Sequence, residues 1–294
     1  MPDSDKGRVQ SSKWADLGTR VASATVLSAV AIGALWAGGY FWSALIALGA
    51  VLMFWEIAPL CEPGIAGGRR AILALAPLPF TALTIVASAP VLDDLLLGES
   101  LLSAPMRTAH ALALIFALAL GALVLRSGRL VWLGYGLMVL IGAYALGFMR
   151  ILGGMPPVLA LVLIVVISDV AGYMFGRLLG GPKFWPRVSP KKTWSGTVAG
   201  WIGAALFGAL IMPGLLSHEY GYQMTALIAA CVAALLAFAG QMGDIIESAM
   251  KRHAGVKDSS QLIPGHGGVL DRFDALIAAA ALAGIVTLPS YLIG

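Results

Sequence analysis

Charge is scarce in this chain. Asp, Glu, Lys and Arg make up 12% of its 294 residues, against 59% hydrophobic residues, and the mean hydropathy is +0.89. A soluble protein of this length would form one or two domains, and such a composition excludes that class. Cysteine is scarcer still. Cys61 and Cys231 lie far apart, in no CxxC or Cys/His grouping, which excludes a disulfide framework and a zinc site. The alternating pattern of a membrane β-barrel is missing as well. The first twenty residues are polar and mixed in charge. They lack the basic-then-apolar layout of a cleaved signal peptide, so the first apolar run is expected to be retained.

Apolar runs are what the chain has in abundance. About 30 Å of hydrocarbon takes about 20 helical residues to cross, and lipid offers no water to an open backbone, so these runs should be helices. Nine fit, near 21–37, 40–59, 71–91, 108–125, 130–149, 157–177, 196–216, 223–242 and 270–292. The expected fold class is therefore an all-α polytopic integral membrane protein with about nine transmembrane helices. Pro77, Pro79 and Pro90 predict a kink in the third. Gly38 and Gly39 leave room only for a tight turn between the first two. The chain divides into a polar N-terminal segment, 1–20, and a single transmembrane domain, 21–294, with no second soluble domain.

The isoelectric point near 9.2 is no sign of a nucleic-acid partner here, because Lys and Arg in a membrane protein report topology first. With the N-terminus in the cytoplasm, every one of the 19 Lys and Arg residues except Arg107 and Arg150 falls on the cytoplasmic side. That sorting places the C-terminus outside, together with the acidic loop Asp93-Asp94 to Glu99. Asp93-Asp94 resembles the paired aspartates of some membrane transferases but lacks any accompanying motif. The two longest charged loops, 178–195 and 243–269, both face the cytoplasm, where nucleotide and metal are available.

Six groups of residues could carry chemistry. Asp169 sits well inside the sixth run, where an ionised carboxylate costs about 2.5–3.5 kcal/mol unless partnered or hydrated. Asp244, Glu247, Ser248 and Lys251 recur at helical spacing along one polar stripe. That stripe equally suits an ordinary solvated helix end with a Glu247–Lys251 pair. Asp271 and Asp274 open the ninth run, a placement the helix dipole also favours. Between these helix ends, Gly265, Gly267 and Gly268 allow close backbone approach, and Lys251, Arg252, Lys257 and Arg272 supply positive charge. Carboxylates flanking such a loop suit Mg²⁺, which takes oxygen ligands and completes its shell with substrate phosphates. His266 has no metal-ligand spacing and is as suited to bonding the loop as to moving a proton. Ser189, Lys191, Lys192 and Thr193 in the other charged loop suit anionic headgroups or a phosphate-bearing lipid. Glu56 and Glu62, at the end of the second run, either face a polar interior or are paired structurally.

These residues carry a resemblance. The run from Ser248 to Asp274, SAMKRHAGVKDSSQLIPGHGGVLDRFD, resembles the C-terminal motif of phosphatidate cytidylyltransferases, also called CDP-diacylglycerol synthases. SDVAGYMFGRLLG and SPKKTWSG resemble two further segments of that family in the same order. The motif-bearing part begins near Ser168, so the catalytic motifs lie in 168–274; the N-terminal half is similar only as a set of spans. Two positions depart from the pattern: Ser195, where the family commonly has Glu, and Gly172, where it usually has Ala.

The resemblance implies transfer of a cytidylyl group from CTP to phosphatidic acid, giving CDP-diacylglycerol and pyrophosphate. It implies Mg²⁺ as cofactor, with Asp244 and Asp271 as ligands and Asp169, Asp274 and Glu247 as further candidates. A second, monovalent cation is an additional candidate. Lys251, Arg252, Lys257 and Arg272 would offset phosphate charge. Ser189, Lys191, Lys192, Thr193, Asp258, His266, Gly267 and Gly268 would bind substrates. The expected setting is a bacterial inner or plasma membrane with the site facing the cytoplasm. Small-residue runs such as GAALFGA are compatible with a homodimer. Two rivals remain: a CTP-dependent lipid or polyprenol kinase, and a secondary transporter using Asp169 and Glu56. The internal symmetry common in transporters is not evident.

Overall fold

The computed structural model describes residues 4–87, 104–220 and 224–293, and it is helical almost throughout. In chain order the helices are α1 (Ser4–Ala37), α2 (Gly39–Cys61), α3 (Gly67–Ala74), α4 (Leu78–Ala87), α5 (Ala104–Val124) and α6 (Arg129–Gly153). Then come α7 (Met155–Leu179), strands β1 (Lys183–Trp185) and β2 (Ser189–Thr193), α8 (Trp194–Leu210), α9 (Met212–Tyr220), α10 (Ala226–His253) and α11 (Leu270–Ile293). Among the described residues, seven helices are long and apolar enough to cross a membrane, and the apolar helix Trp194–Leu210 is shorter. Within the described residues, helix falls in each of the nine expected runs. Asp93-Asp94 lies outside the described residues.

The helix α1 itself runs unbroken from Ser4 to Ala37. Two local features differ from the sequence expectation. The kink expected from Pro77, Pro79 and Pro90 is a break at Pro77 between α3 and α4, Pro90 lying outside the described residues. Pro77 has no N–H to give, so the chain tightens there, with the Ala76 amide bonding Leu73 O at 3.2 Å and that of Leu78 bonding Leu75 O at 3.1 Å. The charged loop 178–195 holds an antiparallel hairpin, with Lys183 opposite Thr193 and Trp185 opposite Ser189. That hairpin is the one addition to an otherwise all-α architecture among the described residues.

The helices pack as two groups. In the first, α2 packs against α3, α4 and α6; in the second, α8 lies between α7 and α10, and α10 packs on α11. The second group is joined to the first chiefly where α11 lies along α6. The core of the first group is aromatic and aliphatic: Trp132 and Phe54 are fully buried and meet edge to face, ring centroids 4.9 Å apart. The second group relies on small residues, which suits a bilayer, where close backbone approach replaces the hydrophobic drive. At Gly243 an added Cβ would lie 2.6 Å from Asp274 O, so α10 and α11 meet backbone to backbone.

Arginine contacts tie the helix ends together. Arg69 pairs with Glu62, and the Arg126 amide bonds Glu62 Oε2 at 2.7 Å, tying the ends of α2, α3 and α5 together. At the opposite end Arg150 donates to Leu35 O at 2.8 Å, holding the last turn of α1. Its guanidinium occupies the space a side chain at Gly38 would need.

Candidate active site

The close contact at Gly243 has a chemical consequence. The next residue, Asp244, is brought beside Asp274 of α11, while Glu247 stands one turn along α10. One carboxylate oxygen from each of Asp244, Glu247 and Asp274 can be chosen so that all three lie within 4.8 Å of one another. Glu247 is fully buried and Asp274 is 8% exposed. Three carboxylates so close repel each other and need compensating positive charge.

Two lysines supply part of it. Lys251 lies 2.6 Å from Glu247 Oε2 and 2.7 Å from Asp271 Oδ1. Lys192 comes from β2 and pairs with Asp244. Glu247 Oε1, though buried, receives no hydrogen bond among the described residues. An all-oxygen cluster with an orphaned buried acceptor fits a hard divalent cation such as Mg²⁺.

Asp271, paired with Asp244 in the sequence reading, has a different set of neighbours. Its oxygens accept from Lys251 Nζ, the Ser259 amide at 2.9 Å, Ser259 Oγ at 3.0 Å and the Gly268 amide at 2.7 Å. It thus folds the glycine loop onto the start of α11 and adjoins Glu247, with which it shares Lys251. Gly267 makes this possible, at φ 87 with a Cβ position only 2.9 Å from Asp271 Oδ2.

The remaining loop residues are spread more widely. His266 Nδ1 lies 2.8 Å from Ser23 Oγ of α1, so the histidine bonds the N-terminal helix. Arg272 donates to His266 O and Arg252 to Val256 O, both on the exposed side. Lys257 and Asp258 are exposed.

A cleft of about 620 Å³ lies between α7, the hairpin and α8, and Lys192 in its lining links it to the carboxylates through Asp244. Its lining includes Asp169, Arg177, Lys183, Lys191, Lys192 and Gln241. Asp169 lies ten residues before the end of α7, which is about 15 Å along the helix axis. The cleft therefore runs from a basic rim into the depth of the helical layer. Tyr173, on its wall, is 68% exposed. Ser189 is partly buried in the hairpin beside Lys191 and Lys192. Thr193 caps α8 by accepting from the Gly196 amide.

Both departures from the family pattern fall here. The Ser195 hydroxyl donates to Gly180 O, clasping the hinge between α7 and the hairpin. A Cβ at Gly172 would sit 3.2 Å from Gly196 O, so glycine lets α7 and α8 close slightly further. Sequence reasoning overlooked Gln241, Arg177 and Lys183 as cleft residues, and Ser259 as a partner of Asp271. Gln241 carried a signal, as an amide inside an apolar run. The serine carried none beyond its place in the motif.

Comparison with known proteins assigns the chain to a family. The family model described as "Cytidylyltransferase family" matches residues 18–288, and the chain belongs to that family. A stretch of 129 residues is 47% identical to a phosphatidate cytidylyltransferase of Brucella suis, covering 44% of this chain and 46% of that one. A stretch of 137 residues is 40% identical to a phosphatidate cytidylyltransferase of Staphylococcus aureus, covering 47% and 51% respectively. The match thus spans about half the length of these relatives.

Proposed function

We propose that this protein transfers a cytidylyl group from CTP to phosphatidic acid, releasing CDP-diacylglycerol and pyrophosphate, on the cytoplasmic face of a bacterial plasma membrane. The observation that carries the reading is the convergence of Asp244, Glu247 and Asp274, beside Lys192 and Lys251, at a cleft with a basic rim. Family membership and the names of the relatives support it.

The reaction needs no protein nucleophile, because a phosphate monoester is already anionic near neutral pH. An oxygen of the lipid phosphate attacks the α-phosphorus of CTP, the bond to the bridging oxygen of the β-phosphate breaks, and pyrophosphate leaves with that electron pair. What the chain contributes is positioning and charge neutralisation. Lys191, Lys192, Lys183 and Arg177 would hold phosphate at the cleft rim, with the acyl chains beside the apolar wall of α7. Lys251, Arg252, Lys257 and Arg272 would offset charge on the triphosphate and the leaving group. Asp244, Glu247 and Asp274 would hold Mg²⁺, with Asp271 adjoining. The ion would supply Lewis-acid polarisation of the nucleotide phosphates.

Product analysis on purified protein tests the reading against its rivals. CDP-lipid with pyrophosphate supports it. Phospholipid with CDP would instead indicate a kinase, and no turnover at all would favour a transporter.

A further inference from the structure

Glu56 of α2 is fully buried, and no ion pair reaches it among the described residues. Arg70, which lies over the ring of neighbouring Trp55, donates to Trp55 O rather than to this carboxylate. All the hydrogen bonds Glu56 receives come from one place. The amides of Val269 and Leu270 donate to it at 2.9 and 2.6 Å, and Ser260 Oγ donates as well.

Those two amides belong to the entry of α11, where N–H groups have no intrahelical acceptor and the helix dipole is positive. A local Ser, Thr or Asp would normally cap such an entry. Here the capping position is Val269, whose side chain offers no acceptor, and at Gly268, just before it, a Cβ would lie 2.6 Å from Glu56 Oε1 and 2.0 Å from Ser259 Oγ. The chain forgoes a local side-chain cap and admits a carboxylate 213 and 214 residues away. A local cap would serve α11 alone. The distant one fixes α11 relative to α2, and Asp274 lies one turn beyond the capped amides.

We propose that Glu56 is a positioning residue: by holding the first turn of α11 and the glycine loop against α2, it places Asp274 beside Asp244 and Glu247. This rests on the reading that these three carboxylates hold a divalent cation.

The test uses the full-length protein in detergent, with Mn²⁺ alone as probe and its binding followed by electron paramagnetic resonance. Glu56→Gln keeps the shape but turns one acceptor into a donor facing an amide. It should weaken Mn²⁺ binding by about ten-fold or more, the range seen when partners that orient metal ligands are removed. In the double variant Glu56→Gln/Asp274→Asn, affinity should be no lower than in Asp274→Asn alone, because Glu56 acts through Asp274. Unchanged Mn²⁺ affinity in folded Glu56→Gln, or fully additive losses in the double variant, would overturn the proposal. Should Glu56→Gln not fold, Ser260→Ala removes one of the three donors. It should weaken Mn²⁺ binding in the same direction, and wild-type affinity there would also overturn it. Because no substrate is present, a protein that made no CDP-lipid would leave this test intact.

Discussion

Lys192, on the short hairpin and in the lining of the cleft, pairs with Asp244 on α10. The basic segment, which from sequence suits either headgroups or a phosphate-bearing lipid, is therefore wired to the carboxylate cluster. A donor aimed at developing phosphate charge is worth on the order of 10²-fold in rate. Lys192→Met should lose about that much in kcat, measured with saturating CTP and phosphatidic acid in mixed micelles. Lys191→Met, whose side chain is exposed, should chiefly raise the KM for lipid. Equal effects of the two would contradict the assignment.

The carboxylate cluster should be indispensable. Asp244→Asn and Asp274→Asn are each expected to lower turnover by about 10²-fold or more, with insertion into the membrane unimpaired. Chelation of divalent cations should abolish activity and added Mg²⁺ should restore it. Near-normal turnover in both variants would remove the basis for the cation site.

Gly243 sets the distance between α10 and α11. A methyl added there meets Asp274 O at 2.6 Å and Ala278 Cβ at 2.4 Å. Gly243→Ala should cost about 1–3 kcal/mol by overpacking, seen as a lower thermal midpoint. It should also weaken Mn²⁺ binding, because the helices carrying Asp244 and Asp274 are forced apart. A lower midpoint with unchanged Mn²⁺ affinity would show that the contact serves packing alone.

Much of this was legible beforehand, and what was not shares one cause. The spans follow from apolar runs of bilayer length. The stripe of Asp244, Glu247 and Lys251 follows from helical periodicity. Those are local signals. Asp274 stands beside Asp244, and Asp271 turns to the loop, because α10 and α11 touch at Gly243; that contact is tertiary. Glu56 was visible as an acid in an apolar run, but its partners lie more than 200 residues away. The hairpin was missed because its strands of 3 and 5 residues are too short to show a period.

Glu62 offers a pH signature. Hydrogen bonds from Arg69, and then from the Arg126 amide, hold its carboxyl below the usual carboxylate range. A depressed value in the fold means Glu62 stabilises above the unfolded value of about 4.3. That contribution is lost as pH falls through the lower folded value. The thermal midpoints of wild type and Glu62→Gln should differ most near neutral pH and converge in acid. A constant gap across that range would contradict the pairing.

The central claim concerns which phosphorus of CTP is attacked, and label transfer reads it directly. Purified protein is given Mg²⁺, phosphatidic acid and CTP labelled at either the α- or the γ-phosphate. The account predicts α-label in an organic-soluble CDP-lipid and γ-label in pyrophosphate, in equal amounts. Appearance of γ-label in the lipid, or of no label there from either nucleotide, would contradict it.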